Sequence, residues 1–213
     1  MNQRSTQEEI KSGLRATLSA PVCYTLFGRL IGLGQKYKMY IDRFIKPFTG
    51  MRMLDIGCGT AAILNYLPLD VAYTGYDLNP DYIRYARNKH GHRAKFFNKR
   101  VMDISLPETE RFDIVLADGL IHHLDNTEAA ALFDIGRRCL KQTAFMLTID
   151  PTFVEDQKKI DRFLTRMDRG RHVRTPEKYK QIAGAYFPKV DVYVVKDIGL
   201  FSLTGCILKC KKE

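Results

Sequence analysis

The sequence contains no apolar run that approaches the ~20 residues needed to cross a bilayer, so we expect no membrane span. Its first residues, Met1–Glu9, lack the apolar core of a signal peptide. The 5 cysteines are odd in number and scattered along the chain, which argues against a disulfide framework and favours free thiols in a reducing cytoplasm. Together these absences predict a cytoplasmic protein.

Recognition signatures for nucleic acids are also missing. The chain has neither a glycine/aromatic RNA-binding signature nor zinc-finger spacing. It does carry a net charge of +10, with Lys and Arg concentrated at Lys36–Arg43, Arg84–Arg100 and Lys158–Arg174. Such a charge suits a polyanionic partner, yet basic clusters are more often solvated helix faces. Nucleic acid is therefore a partner that the sequence allows but does not favour.

Apolar strands alternate with helical stretches along most of the chain, whose 213 residues contain no linker or internal repeat. This alternation predicts a parallel sheet with right-handed crossovers. The predicted strands are Met51–Ile56, Val71–Asp77, Ala94–Asn98, Phe112–Ala117 and Ala144–Asp150, and the helices between them are Ala61–Tyr66, Pro80–His90 and Glu128–Leu140.

The two ends of the chain differ from this pattern. A helix from Thr175 to about Tyr186 precedes two strands, Val190–Lys196 and Leu203–Lys209, whose short connection requires an antiparallel pair. Apolar residues up to about Phe48 recur at helical spacing. We therefore predict an N-terminal helical lid over residues 1–48 and one compact domain over residues 49–213.

Two glycines one residue apart, Gly57 and Gly59, follow the first strand directly and precede a helix predicted to begin at Ala62. Glycine lets the backbone turn sharply and approach a ligand, and the peptide N–H groups are expected to face that ligand at the helix start. Asp77 ends the next strand, where a carboxylate can accept hydrogen bonds from ribose hydroxyls. The pattern predicts a nucleoside-binding βαβ unit.

The glycine pair alone would also suit a nicotinamide dinucleotide, so the neighbouring residues decide between nucleosides. Asp55 precedes the loop, and its carboxylate attracts a cationic ligand but repels a pyrophosphate. Asp103 follows the third strand, where it can accept a hydrogen bond from an adenine amino group while Met102 lies against the ring. No separate domain is present to bind a hydride acceptor. These features favour S-adenosylmethionine.

The ordered set of these motifs resembles the class I S-adenosylmethionine-dependent methyltransferases over roughly residues 50–150. The set comprises Leu54-Asp55-Ile56-Gly57-Cys58-Gly59-Thr60, Tyr76-Asp77, Asp103 and Phe112-Asp113-Ile114-Val115-Leu116-Ala117. The resemblance implies an α/β Rossmann-like fold: a mostly parallel seven-stranded sheet with an antiparallel C-terminal strand, helices on both faces and a helical lid. The segment Met167–Pro176 further resembles a bacterial subgroup whose substrate is unassigned.

The resemblance also implies a set of cofactor-binding residues. Gly57 and Gly59 would pass under the methionine part of the cofactor, Asp77 would bind the ribose, and Met102 with Asp103 the adenine. The complete predicted set is Asp55, Gly57, Cys58, Gly59, Asp77, Leu78, Met102, Asp103, Asp118 and Gly119. The cofactor would be S-adenosyl-L-methionine, leaving as S-adenosyl-L-homocysteine.

Paired histidines follow the fourth strand, as they do in the small-molecule branch of that family. We predict His122 or His123 as a general base, with Asp118 behind them. No third ligand lies at metal spacing, so we predict no metal. Tyr24, Tyr37, Arg169, Arg171 and Arg174 are candidate substrate contacts, because arginine binds carboxylate and phosphate in a fork.

The predicted activity is methyl transfer to an O or N atom of a small molecule, which the arginines would allow to be anionic. The chain lacks the Asn/Asp-Pro-Pro-Tyr/Phe tetrapeptide of many nucleic-acid methyltransferases. Its absence weakens the hypothesis of an RNA or DNA substrate without excluding it. The glycine loop and Asp77 are also compatible with a NAD-binding oxidoreductase or a non-catalytic nucleotide-binding protein. The sequence does not fix the oligomeric state.

Overall fold

A computed structural model describes residues 33–107, 109–168, 170–198 and 203–213. The helices are α1 (Leu33–Tyr40), which continues as a π-helix over Ile41–Ile45, α2 (Pro80–His90), α3 (Asn126–Cys139), α4 (Lys159–Met167) and α5 (Pro176–Gly184). The strands are β1 (Arg52–Ile56), β2 (Ala72–Asp77), β3 (Ala94–Asn98), β4 (Phe112–Asp118), β5 (Leu140–Pro151), β6 (Lys189–Ile198) and β7 (Leu203–Lys211). Within these ranges, every helix is too short or too polar to cross a bilayer.

All seven strands form one sheet in the order β3-β2-β1-β4-β5-β7-β6. The first five strands pair in parallel, and β7 runs antiparallel to both of its neighbours. The chain passes from one half of the sheet to the other between β3 and β4, so the carboxyl ends of β1 and β4 lie side by side at a switch point. This topology confirms the predicted Rossmann-like sheet with its antiparallel C-terminal strand. The first 32 residues of the lid predicted over residues 1–48 lie outside the described part of the chain, and the domain bounds stay a prediction.

Apolar residues cover both faces of the sheet, as a parallel sheet requires. On β1, Leu54 and Ile56 join the core that contains α3 and α5, whereas Met53 joins the core that contains α1 and α2. This alternation follows from the two-residue period of a strand. Asp55 shares the face of Met53, so its carboxylate lies on the side of the sheet that α1 covers.

The segment after the glycine loop differs from the prediction. Instead of a helix over Ala61–Tyr66, the structure has a single 3₁₀ turn over Ala62–Asn65, preceded by Ala61 in a left-handed conformation with φ 53°. Pro68 limits this segment, because a residue before proline is pushed out of the helical region. The loop therefore lacks the long helix whose N-terminus was expected to face a ligand.

Helix starts elsewhere follow the sequence signals. Pro80 occupies the first turn of α2, where Asn79 accepts the N–H groups of Asp81 and Tyr82, as predicted for proline at that position. Thr175 caps α5 by accepting the N–H of Lys178. The remaining strands and helices agree with the predictions to within a few residues, except that β5 begins at Leu140 and α4 was not predicted as a helix.

Candidate active site

Four carboxylates lie at or near the carboxyl ends of adjacent parallel strands: Asp55 on β1, Asp77 on β2, Asp118 on β4 and Asp150 on β5. We call this group the acidic edge. The charges are close enough to act on one another, since Asp118 and Asp77 both raise the pKa of Asp55. Asp118 is paired with Lys36 and Asp150 with His122, and the group as a whole favours a cation over an anion at this edge.

Asp55 is buried and only partly satisfied. The Tyr73 hydroxyl donates to Asp55 Oδ2 at 2.5 Å, while Oδ1 is buried and accepts no hydrogen bond from the residues that the structure describes. Burial, reinforced by the charges of Asp118 and Asp77 and opposed by the Tyr73 hydrogen bond, raises the pKa of Asp55 to about 7. A ligand that brings a positive charge or an N–H donor would complete this carboxylate.

The glycine loop is bound to β2 through its own peptide groups. The N–H groups of Gly57 and Cys58 donate to Tyr76 O at 2.7 and 3.0 Å, and that of Gly59 donates to Asp77 Oδ2 at 2.8 Å. The expectation that these groups face the ligand is therefore wrong. Glycine is required at position 57, where φ is +79° and an added Cβ would lie 3.0 Å from Leu120.

The other predicted cofactor residues line the same edge. Asp77 accepts the N–H of Asn79 at 2.7 Å as well as that of Gly59 at 2.8 Å. Leu78 and Met102 are unusually exposed for apolar side chains, at 41% and 55%. Asp103 is also exposed, in the 3₁₀ turn after β3. The arrangement suits an adenosine lying across the ends of β2 and β3, and the individual roles stay predictions.

Helix α1 is attached to the acidic edge by an ion pair. Lys36 Nζ lies 2.8 Å from Asp118 Oδ1 and over the rings of Tyr37 and Tyr40, at 5.7 and 5.4 Å from their centroids. Burial lowers the pKa of Lys36, but the charge and hydrogen bond of Asp118, together with the charges of Tyr40 and Asp150, outweigh it and raise the pKa overall. Gly119 follows with φ +68°, which turns the chain from β4 toward the two histidines.

His122 is held between two carboxylates. Its Nδ1 lies 2.8 Å from Asp150 Oδ1, its Nε2 lies 3.2 Å from Asp168 Oδ1, and its backbone N–H also donates to Asp150 at 3.0 Å. Gly170 packs so tightly against the ring that an added Cβ would lie 2.0 Å from His122 Cδ2. The segment after α4 is thereby fixed over the end of β5. We call His122, Asp150 and Asp168 the histidine clamp.

The histidine clamp changes the protonation of its members. Burial lowers the pKa of His122, but the hydrogen bonds and charges of Asp150 and Asp168 outweigh it and raise the pKa to about 9. For Asp168, burial raises the pKa, and the stronger attraction of His122 brings it down to about 2. A protonated imidazole with both nitrogens engaged does not accept a proton at neutral pH, so this geometry opposes the predicted base role of His122.

His123 differs from its neighbour because its side chain is exposed. Its ring lies 4.1 Å from that of His122, centroid to centroid. With Asp168 the two histidines offer ligand atoms within 4.8 Å of one another, the spacing of a metal site. Since His122 already uses both ring nitrogens for carboxylates, the ion pairs explain the group, and the predicted absence of a metal stays a prediction.

Arg174 is a structural residue in this geometry. Its guanidinium is buried and donates to the carbonyl oxygens of Ile121 and Leu124, at 3.0 and 2.9 Å, to His172 O at 2.9 Å and to Asn126 Oδ1 at 2.9 Å. These bonds leave little capacity for an anionic substrate, so the geometry opposes the predicted substrate role of Arg174, and that role stays a prediction.

The other predicted substrate contacts are Tyr24, Tyr37, Arg169 and Arg171, and the structure describes two of them, Tyr37 and Arg171. Tyr37 is buried in the core beneath α1, with its ring 5.7 Å from that of Tyr66. Arg171 is exposed. Tyr24 and Arg169 lie outside the described residues. The predicted substrate role of these residues stays a prediction.

Sequence reasoning missed four residues that the structure places at the site: Lys36, Tyr73, Asp150 and Asp168. Asp150 had a usable signal, because carboxyl ends of neighbouring parallel strands meet at one edge and Asp150 lies near the end of β5. Asp168 lies in a loop 46 residues from His122, as the residue numbers show, and no local pattern links them. Lys36 and Tyr73 carry signals only of a helix and a strand.

Comparison with known protein families identifies one segment. Residues 53–143 match a family model described as "Methyltransferase domain". That segment contains β1 to the first residues of β5, and therefore most of the acidic edge. No curated protein matches the sequence.

Solved structures share the fold at low sequence identity. The pyocyanin biosynthetic protein PhzM superposes with a TM-score of 0.68 at 18% identity, covering 95% of this chain, which spans 62% of the length of PhzM. N-methyltransferase NodS from Bradyrhizobium japonicum, solved with S-adenosyl-L-homocysteine, gives 0.64 at 15% identity, covering 83% and 85% of the two chains. Human N-acetylserotonin methyltransferase, solved with S-adenosylmethionine, gives 0.65 at 16%, covering 98% and 60%.

Proposed function

We propose that this protein transfers a methyl group from S-adenosyl-L-methionine to an O or N atom of a small molecule, because residues 53–143 match a methyltransferase family model and solved methyltransferases share the fold of the chain. The acidic edge is the observation that carries the proposal. S-adenosylmethionine brings a sulfonium and an ammonium group, and negative charge in a partly buried site stabilises both.

Residues of this chain fit the cofactor part by part. Asp55 Oδ1, buried without a donor, would accept the ammonium group, directly or through a water. Asp77 would bind the ribose hydroxyls. The exposed Leu78 and Met102 would pack against the adenine ring, and Asp103 would accept a hydrogen bond from its amino group. When bound, the sulfonium supplies an activated methyl group, so the protein has to align the acceptor and exclude water.

The competing ligands fit less well. A pyrophosphate needs peptide N–H donors, and those of Gly57, Cys58 and Gly59 are already bonded to β2. Both a dinucleotide and a nucleic acid would bring phosphates against the acidic edge. These contacts support a cationic nucleoside over NAD and over RNA or DNA.

Two histidines and Asp118 lie where the methyl acceptor would bind. If it must lose a proton during the transfer, His123 is better placed than His122, because the histidine clamp keeps His122 protonated. Asp118 is paired with Lys36 and would position rather than deprotonate. Helix α1, which is the described part of the lid predicted over residues 1–48, would cover the acidic edge, since its Lys36 pairs with Asp118.

Ligand-induced stabilisation tests the cofactor. We expect S-adenosylmethionine and S-adenosylhomocysteine, but not NAD, to raise the melting temperature, because a ligand that binds only the folded state stabilises it. Asp77→Asn should weaken binding roughly 30-fold, since it removes the charge that accepts the ribose hydroxyls. Calorimetric titration measures the affinity.

Asp134→Asn is the matched control for this titration, because Asp134 is a partly exposed acid on α3 that pairs with Arg138. It should bind like the unaltered protein. Stabilisation by NAD alone would overturn the proposed cofactor. Equal binding of S-adenosylhomocysteine by the Asp77 and Asp134 variants would overturn the ribose contact of Asp77.

The pH dependence of binding tests Asp55. Its pKa is raised from the ordinary range to about 7, so ionising it costs folding free energy that grows as pH rises from about 4 through 7. A cationic ligand recovers this cost. We therefore expect affinity to rise about tenfold between pH 6 and pH 8 as the ionised fraction increases.

Titrations of the unaltered protein and of Asp55→Asn at pH 6, 7 and 8 separate this effect from protonation of the ligand, which is common to both. The pH dependence should be smaller in the variant, and its affinity at pH 8 should be the lower of the two. Identical slopes would show that Asp55 does not face the ligand's positive charge.

A further inference from the structure

Helix α4 is oriented opposite to an ordinary surface helix. Its polar residues Asp161 and Thr165 are buried, at 1% and 4% exposure, whereas Ile160, Phe163 and Met167 are exposed at 58%, 56% and 53%. Positions 160, 163 and 167 are spaced by three and four residues and therefore lie on one side of the helix. We call these three side chains the apolar face of α4.

Buried hydrogen bonds fix this orientation. Thr204 Oγ1 on β7 donates to Asp161 Oδ2 at 2.6 Å, and Thr165 Oγ1 donates to Asp161 Oδ1 at 3.2 Å. Gln157 Nε2 donates to Thr165 Oγ1 and to Thr152 O, both at 3.3 Å. Turning the apolar face inward would expose or break this network, at a cost for each buried polar group left unpaired. The fold therefore holds the apolar face outward.

Basic residues border the apolar face. Lys158, Lys159 and Arg166 are exposed, and the Arg162 guanidinium donates to a backbone carbonyl, that of Val154, so its charge is not neutralised by that contact. Asp161 is the one acid between positions 158 and 167, and it is buried. Apolar side chains flanked by Lys and Arg match the boundary of an anionic bilayer, where rings and aliphatic chains enter the headgroup region and basic groups meet lipid phosphates.

We propose that α4 docks on an anionic lipid surface through Ile160, Phe163 and Met167, with Lys159 and Arg166 at the headgroups. A second copy of this chain is disfavoured as the occupant, because it would set the same four basic residues against each other. A nucleic acid would engage the charges but leave the apolar face without a partner. The short helix predicts reversible binding, and the inference does not depend on methyl transfer.

Vesicle sedimentation with the full chain tests the proposal. The probes are vesicles of phosphatidylcholine alone and of phosphatidylcholine with phosphatidylglycerol. We expect binding to the anionic vesicles that weakens in high salt. Phe163→Ser should lower the partition coefficient about tenfold, because it removes one large side chain from the buried set. A double variant, Lys159→Glu with Arg166→Glu, should lower it by at least about tenfold.

Leu69→Ser is the matched control. Leu69 is 80% exposed and precedes β2, so it lies at the amino ends of the parallel strands, whereas α4 follows the carboxyl end of β5. It should bind like the unaltered protein. All the altered side chains are exposed, so the variants should keep the unaltered melting temperature. Absence of vesicle binding, or equal binding by the Phe163 and Leu69 variants, overturns the proposal. Self-association that Phe163→Ser abolishes, without vesicle binding, would assign the face to a second copy instead.

Discussion

Replacing Arg174 with methionine is expected to destabilise the fold by about 3 kcal/mol, although arginine at this position is chemically suited to a substrate contact. The substitution leaves the carbonyl oxygens of Ile121, Leu124 and His172 without their guanidinium donors. Each buried acceptor that loses its partner costs about 1 kcal/mol or more, while methionine keeps much of the apolar stem. For a chain of this length, the loss corresponds to a melting temperature about 6–12 °C lower.

The loss should also reach the candidate site. Arg174 ties the turn that contains both histidines to the loop before α5, and it lies over the Tyr179 ring at 5.9 Å. Loosening that turn would misplace His123 while leaving the acidic edge intact. We therefore expect Arg174→Met to retain S-adenosylhomocysteine binding at a temperature where it is still folded.

Arg171→Met is the matched comparison, because it removes the same charge at an exposed position three residues away. Thermal unfolding of the two variants should differ by most of the predicted shift. If Arg174→Met unfolded like Arg171→Met, the four hydrogen bonds would not contribute to stability, and a role in binding an anion would regain support.

The fold could be predicted from the sequence because its signals are local and repeated. Each βα unit carries its own strand period, turn and cap, and the short connection between β6 and β7 by itself requires antiparallel pairing. Pro80 occupies the first turn of α2 and Thr175 caps α5, as the chemistry of each residue predicts. By contrast, the segment after Gly59 forms a 3₁₀ turn instead of the expected α-helix. The hydrogen bonds of the glycine loop to β2 and the nearby Pro68 outweigh the helix propensity of this segment.

The sequence predicted the site residues that lie at the end of a single strand, but not the partners that reach them from elsewhere in the chain. Asp55 and Asp77 follow from their places on β1 and β2, but what each one binds depends on residues far away in sequence. Tyr73 occupies one oxygen of Asp55, and Gly59 one of Asp77. The chemistry of arginine and histidine predicted side chains that bind substrate or move a proton. No residue pattern reveals that Arg174 and His122 are buried and that polar partners surround them.

Removing the imidazole of His122 is expected to produce a loss of stability that depends on pH. In His122→Ala, the buried Asp150 faces Asp168 without the positive charge between them. The folded pKa of about 9 against an ordinary value near 6.5 corresponds to about 3 kcal/mol of stabilisation. Because the folded pKa is raised, this stabilisation is fully present below about pH 6.5 and is lost as pH rises through 9.

Asp168 sets the acid limit of the same interaction. Its folded pKa of about 2 is depressed, so its contribution is present above about pH 4 and is lost as pH falls through 2. The difference in unfolding free energy between the unaltered protein and His122→Ala should therefore be largest between about pH 4 and 6.5. Denaturant unfolding at intervals from pH 4 to 9.5 measures this difference directly.

His123→Ala provides the control, because that imidazole is exposed beside the histidine clamp. Its unfolding free energy should differ little from that of the unaltered protein and should lack the decline toward pH 9. A difference for His122→Ala that stays constant from pH 6 to 9.5 would mean that His122 is neutral in the folded protein. Its Nε2 would then be free to take a proton, and the general-base role would return from His123 to His122.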